Sequence, residues 1–126
     1  MLGRMAHACV GVLDLDKSVS FYTNVLGMKE TMRRTLPSGT VIVMLNSGGE
    51  TEVELTYRSQ GGTAAPPSRD VGLRHLAFFV SDIEAAVTTL KERGVQFYRE
   101  PGPKGSWPRA AFFRDPNGAD IELMQL

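Results

Sequence analysis

The sequence predicts an α+β fold of two tandem β-α-β-β-β modules, residues 5–57 and 73–126, joined by a linker at 58–72 and packed as one domain with a curved mixed sheet. Three observations predict it. The two histidines, His7 and His75, are 68 residues apart. Glu122 interrupts the apolar run Ala119-Asp120-Ile121-Glu122-Leu123-Met124, and Glu54, in the run Thr51-Glu52-Val53-Glu54-Leu55-Thr56, precedes it by the same 68. The same shift sets Asp82 on Asp14, each seven residues after its histidine, and Val87 on Val19, while Gly94 meets Gly27 with a one-residue slip. Each module is too short to bury a core alone, so the two are expected to pack together within the 126 residues of one domain.

Residues 5–12 are rich in small and β-branched side chains, as in a strand buried on one face. Parity puts His7, Cys9 and Gly11 on one side of it and Ala8, Val10 and Val12 on the other. Asp14 is placed to cap a helix on which Val19, Tyr22, Val25 and Leu26 recur at helical spacing until Gly27 ends it. A strand over 28–35, the turn Pro37-Ser38-Gly39-Thr40, a strand over 41–45, the turn Ser47-Gly48-Gly49 and the strand bearing Glu54 complete the first module. Gly61, Gly62, Pro66 and Pro67 mark the linker.

The second module opens on a strand over 73–80 that contains His75. Ser81-Asp82-Ile83-Glu84 reads as a capping box in which Ser81 and Glu84 satisfy each other's amides, and the helix it starts ends at Gly94. A strand over 95–99 leads to the loop 100–107, whose Pro101, Gly102, Pro103 and Gly105 suit a segment that closes over a site. A hairpin, 110–114 with 119–125, turns on Asp115-Pro116-Asn117-Gly118.

Lys+Arg and Asp+Glu balance at 14 each, so no net field recommends a nucleic acid or an anionic membrane as partner. Apolar runs fall short of the ~18 residues of a membrane span, and the N-terminal stretch lacks the apolar core of a signal peptide, so a cytoplasmic location is expected. The single cysteine forms no internal disulfide, in keeping with a reducing compartment. Cys9 shares the parity of His7, but its counterpart under the shift is Ala77, and it is expected to be a small buried apolar residue.

An ionised carboxylate set among apolar residues needs a cation or a metal beside it. A lone strand histidine or glutamate is ordinarily a satisfied surface or core residue; the common register argues that His7, Glu54, His75 and Glu122 form one metal site. Two neutral imidazoles and two carboxylates neutralise one divalent cation. This mixed set suits Zn²⁺, Ni²⁺, Co²⁺, Mn²⁺ or Fe²⁺ and is too imidazole-rich for Ca²⁺ or Mg²⁺.

Several stretches resemble the vicinal oxygen chelate superfamily of paired modules around one metal: Asp14-Leu15-Asp16-Lys17-Ser18, Phe21-Tyr22-Thr23-Asn24-Val25-Leu26-Gly27-Met28, Arg74-His75-Leu76-Ala77 and Asp115-Pro116-Asn117-Gly118. Val53-Glu54-Leu55-Thr56-Tyr57, together with the full His/Glu/His/Glu set, is most similar to the glyoxalase I (lactoylglutathione lyase) family. The resemblance implies that His7, Glu54, His75 and Glu122 are the metal ligands. It implies a hemithioacetal of a 2-oxoaldehyde such as methylglyoxal with a thiol as substrate, and Glu54 or Glu122 as the base that moves a proton between adjacent carbons. The short chain is similar to bacterial members that prefer Ni²⁺ or Co²⁺, with Zn²⁺ or Mn²⁺ as alternatives. The resemblance implies a homodimer with metal sites shared between chains, while the linker would also allow both modules to close within one chain.

Two positions depart from that family. Its usual arginine four residues after the first histidine is Gly11 here, and the asparagine after Glu-Leu-Thr-Tyr is Arg58. Arg58 shares Glu54's parity and is expected to bind the carboxylate of the thiol cosubstrate, the alternative being a solvated linker arginine. The competing resemblances are to extradiol dioxygenases, in which the position of Glu54 is not a ligand, to methylmalonyl-CoA epimerases, whose last hairpin usually lacks the Asp-Pro-Asn-Gly turn, and to bleomycin-resistance binding proteins, which generally lack the ligands.

Overall fold

Alternation of apolar and polar side chains organises both sheets of the structure, a computed structural model that describes residue 1 and residues 4–58, 75–106 and 109–125. The linker expected at 58–72 lies outside the described residues except for Arg58, as do Leu73, Arg74 and Trp107. The chain divides into two compact units, Met1–Ala64 and Ala65–Leu126. The first contains β1 (His7–Val12), α1 (Leu15–Ser20), β2 (Lys29–Thr35), β3 (Val41–Asn46) and β4 (Glu52–Tyr57). Its sheet runs β1-β4-β3-β2, with β1 parallel to β4 and the other pairs antiparallel. The second contains β5 (His75–Phe79), α2 (Ile83–Glu92), β6 (Phe97–Arg99), β7 (Arg109–Arg114) and β8 (Asp120–Gln125), ordered β5-β8-β7-β6 with the same strand senses. Every strand of the second unit starts 68 residues after its counterpart.

One face of each sheet is apolar. In the first unit Tyr22, Val43, Leu45 and Leu55 are fully buried; in the second, Ile83, Ala111, Phe113 and Ile121 are. Burying a Val, Leu, Ile or Phe side chain contributes about 1.5–3 kcal/mol, and these contacts hold each helix to its own sheet. The opposite face carries His7, Cys9, Glu52, Glu54 and Thr56 in one unit and His75, Ala77, Asp120 and Glu122 in the other.

Both helices start on an aspartate, 68 residues apart. Asp14 Oδ1 accepts from Lys17 N and Asp82 Oδ1 accepts from Ala85 N, each at 3.0 Å. The capping box expected at Ser81 and Glu84 is corrected by one residue: Asp82 is the cap, and the Glu84 carboxylate instead accepts from Arg109 on β7. That hydrogen bond holds the Glu84 carboxyl below its usual range. Its stabilising effect is therefore present above the ordinary glutamate pKa and is lost as pH falls through the lowered one.

The first helix does not stay α-helical up to Gly27. Beyond Ser20 it widens into a π-helical turn, Phe21–Val25, with Leu26 N donating to Phe21 O five residues back at 3.0 Å. Gly27 and Gly94 then end the two helices at φ +78° and +90°, a left-handed conformation that favours glycine. Gly27 lies thirteen residues after Asp14 and Gly94 twelve after Asp82, so the π turn accommodates the extra residue behind the slip seen in the sequence. The strand expected over 95–99 begins later, at Phe97, which restores the register.

The turn before β8 is built on Asp115, whose Oδ1 accepts from Asn117 N and Ala119 N, both at 2.8 Å. With Gly118 N donating to Asp115 O and Asp115 N to Ala119 O, this buried residue fixes where β8 starts and hence which way Glu122 points. In the preceding loop, Glu100 pairs with Lys91, and the Gly102 carbonyl accepts from Arg109.

Candidate metal centre

Parallel pairing of β1 with β4 sets Cys9 opposite Glu54, which brings His7, two residues earlier on the same face, diagonally across from that glutamate. His7 Nε2 lies 3.1 Å from Glu54 Oε2. In the second unit β5 and β8 repeat the arrangement: Ala77 faces Glu122, and His75 Nε2 lies 2.8 Å from Glu122 Oε2. Two of the four expected ligands thus meet in each unit, in the same relation. The glutamates are sheltered, their side chains 17% and 11% exposed, while both histidines are about two-fifths exposed.

Neighbouring acids are engaged elsewhere. Glu52, level with His7, accepts from Thr31 Oγ1, and Asp120, level with His75, accepts from Tyr98 Oη and Arg114 Nε, each at 3.2 Å. Two residues that the sequence reading missed touch the half-sites. Phe112, opposite Glu122 on β7, packs its ring perpendicular to that of His75 with centroids 5.9 Å apart. Thr56 Oγ1 donates to Glu54 Oε1 at 3.1 Å. Only the second left a trace in the sequence, as a hydroxyl residue two positions from a strand glutamate. Cys9 is corrected from buried to exposed, its Sγ 3.1 Å from Thr56 Oγ1, because strand parity sets it on the face of His7. Arg58 is exposed just beyond β4, and a Cβ built on Gly11 would meet nothing within 4 Å.

An imidazole nitrogen and a carboxylate oxygen this close share a proton or a cation. Neighbouring donors around a transition-metal ion with bonds of about 2.1 Å stand about 3 Å apart, so both pairs fit such an ion in donor type and separation. Within either unit, among the described residues, no group of three or more His, Cys, Asp and Glu side chains is placed to hold one. Each unit offers two donors.

The model of the Glyoxalase/Bleomycin resistance protein/Dioxygenase superfamily matches residues 4–123. A probable lactoylglutathione lyase of Vibrio cholerae is 37% identical over 97% of this chain and 90% of its own length. The trypanothione-dependent glyoxalase I of Leishmania major superposes with a TM-score of 0.81 at 34% identity, over 98% of this chain and 87% of that one. The antibiotic-binding protein TnmS3 of Streptomyces sp. CB03234 shares the fold at a TM-score of 0.78 and 25% identity, covering 98% and 96% of the two chains.

The chain therefore belongs to the Glyoxalase/Bleomycin resistance protein/Dioxygenase superfamily. It is a glyoxalase I-like enzyme, a lyase, and glyoxalases of this superfamily depend on a metal and act on thiol-linked substrates. No helix among the described residues is long and apolar enough to cross a membrane.

Proposed function

We propose that this chain converts the hemithioacetal of methylglyoxal and a thiol, glutathione or an analogue, into the 2-hydroxyacyl thioester, at one divalent metal held by His7, Glu54, His75 and Glu122. The observation that supports this reading is the repeated His–Glu contact, 3.1 Å in one unit and 2.8 Å in the other. Ni²⁺ or Co²⁺ is the favoured ion, with Zn²⁺ or Mn²⁺ as alternatives. When bound, it supplies Lewis-acid polarisation of two vicinal oxygens.

The chain's own work is a proton transfer. A carboxylate, Glu54 or Glu122, takes the proton from the carbon bearing sulfur and hydroxyl and delivers it to the neighbouring carbonyl carbon. One C–H bond breaks and another forms, the hydroxyl proton passes between the two oxygens, and no outside oxidant or reductant is needed. The enzyme works as a cytoplasmic homodimer in which His7 and Glu54 of one chain join the partner's His75 and Glu122 around each metal.

Metal analysis with reconstitution tests the reading. Purified protein should carry about one divalent ion per chain, lose turnover of methylglyoxal plus thiol on chelation, and regain it with Ni²⁺ or Co²⁺. A metal-free protein that ignores every thiol tried would favour the binding role of a protein such as TnmS3.

Arg58 takes the cosubstrate carboxylate in place of the arginine missing at Gly11. Arg58→Ala is expected to raise KM for the glutathione hemithioacetal roughly ten- to hundredfold, the loss of about 1.5–3 kcal/mol of charge-assisted hydrogen bonding, with kcat less changed. An unchanged KM, with wild type turning that substrate over well, would place the anchor at another residue.

A further inference from the structure

Under the shift of 68 the two half-sites correspond position for position, yet their surroundings differ. Cys9 in the first unit becomes Ala77 in the second, and Thr56 becomes Met124. The first unit thereby gains a hydrogen-bonded chain that the second lacks: Cys9 Sγ to Thr56 Oγ1 at 3.1 Å, then Thr56 Oγ1 to Glu54 Oε1 at 3.1 Å. The other oxygen of Glu54 faces His7. Among the described residues Glu122 has His75 as its side-chain partner; on its own face it is flanked by Met124 and by Asp120, which is engaged with Tyr98 and Arg114, and Ala77 stands opposite it on β5.

A threonine hydroxyl has one proton to give, and an ionised carboxylate only accepts. With that proton committed to Glu54, the hydroxyl oxygen is left to accept, and the thiol of Cys9 is the donor within reach. The proton order is thus fixed from Cys9 through Thr56 to Glu54. The contacts lie on adjacent, paired strands, where the backbone already holds the three side chains on one face.

We propose that Thr56, oriented by Cys9, is a positioning residue for the metal: it ties down Oε1 of Glu54 and leaves Oε2, beside His7, as the oxygen that binds the ion. This rests on the reading of Glu54 as a ligand. Groups that orient metal ligands in this way typically contribute 10- to 100-fold in metal affinity. The consequence is a centre with one braced carboxylate and one whose side-chain partner, among the described residues, is its histidine.

The test is Co²⁺ affinity, measured by chelator competition and by the visible d–d spectrum of the bound ion. Thr56→Val keeps the shape and strand preference of threonine and removes only the hydroxyl. It should weaken Co²⁺ binding 10- to 100-fold and alter the spectrum, while Thr56→Ser restores both. Cys9→Ala should move affinity in the same direction by less, and Cys9→Ser should behave as wild type. Thermal unfolding of the metal-free variants should match wild type, so that a shift in affinity is not a loss of fold. Wild-type affinity in Thr56→Val, or a Thr56→Ser variant as weak as Thr56→Val, overturns the proposal while Glu54→Gln still binds poorly. If Glu54→Gln itself binds Co²⁺ as wild type does, Glu54 is not a ligand and the proposed metal set fails with it.

Discussion

Glu122→Gln is expected to lose isomerisation by roughly 10²- to 10⁴-fold, the range for removing a positioned general base, and to hold its metal more weakly as well. The two losses should appear together because the amide keeps the size of the carboxylate but neither its charge nor its capacity to take a proton. Glu122 is 8% exposed, with His75 Nε2 2.8 Å away. An uncharged side chain there leaves half of one unit's donor pair unable to balance a divalent ion. Steady-state turnover of the methylglyoxal hemithioacetal and chelator competition are the two readouts, with circular dichroism as the control for folding. A fully active Glu122→Gln enzyme would remove Glu122 from the catalytic assignment.

Mixing two dead variants should yield a live enzyme. If each metal takes its ligands from two chains, His7→Ala and His75→Ala are each inactive as homodimers, since every site has lost one histidine. In a mixed dimer both defects fall into one site and the other is intact, so activity should return to about half the wild-type value per mixed dimer, as two-fold symmetry requires. Ligands drawn from a single chain would instead leave one defect in every site, and the mixture would stay inactive. Ultracentrifugation showing an active monomer would count against the shared site in the same way.

The strands were the most readable part of the chain, since their period of two and the interval of 68 constrain each other. A misplaced strand would have turned Glu54 or Glu122 away from its histidine. The His–Glu contacts followed from that parity. Local hydrogen bonding was harder to read. Ser81 and Asp82 are adjacent and both are good caps, and nothing in the sequence chose between them before Glu84 was seen to pair with Arg109. Cys9 was misjudged because the burial habit of its residue type was given more weight than its strand parity. Phe112 was legible as part of a strand but not as a neighbour of His75, because that contact crosses from β5 over β8 to β7.

The π-helical turn bears on where this chain can change length. Gly27 comes one residue later after its cap than Gly94 does, but β2 starts two residues after Gly27 and β6 three residues after Gly94, so the next strand begins at the same distance from the cap in both units. An odd insertion inside a strand would invert every side chain beyond it, whereas a widened helical turn absorbs the same residue without moving a ligand. Insertions and deletions in this scaffold are therefore expected to survive in its helices and helix–strand joints and to be purged from its strands, which makes those joints the places to graft new sequence.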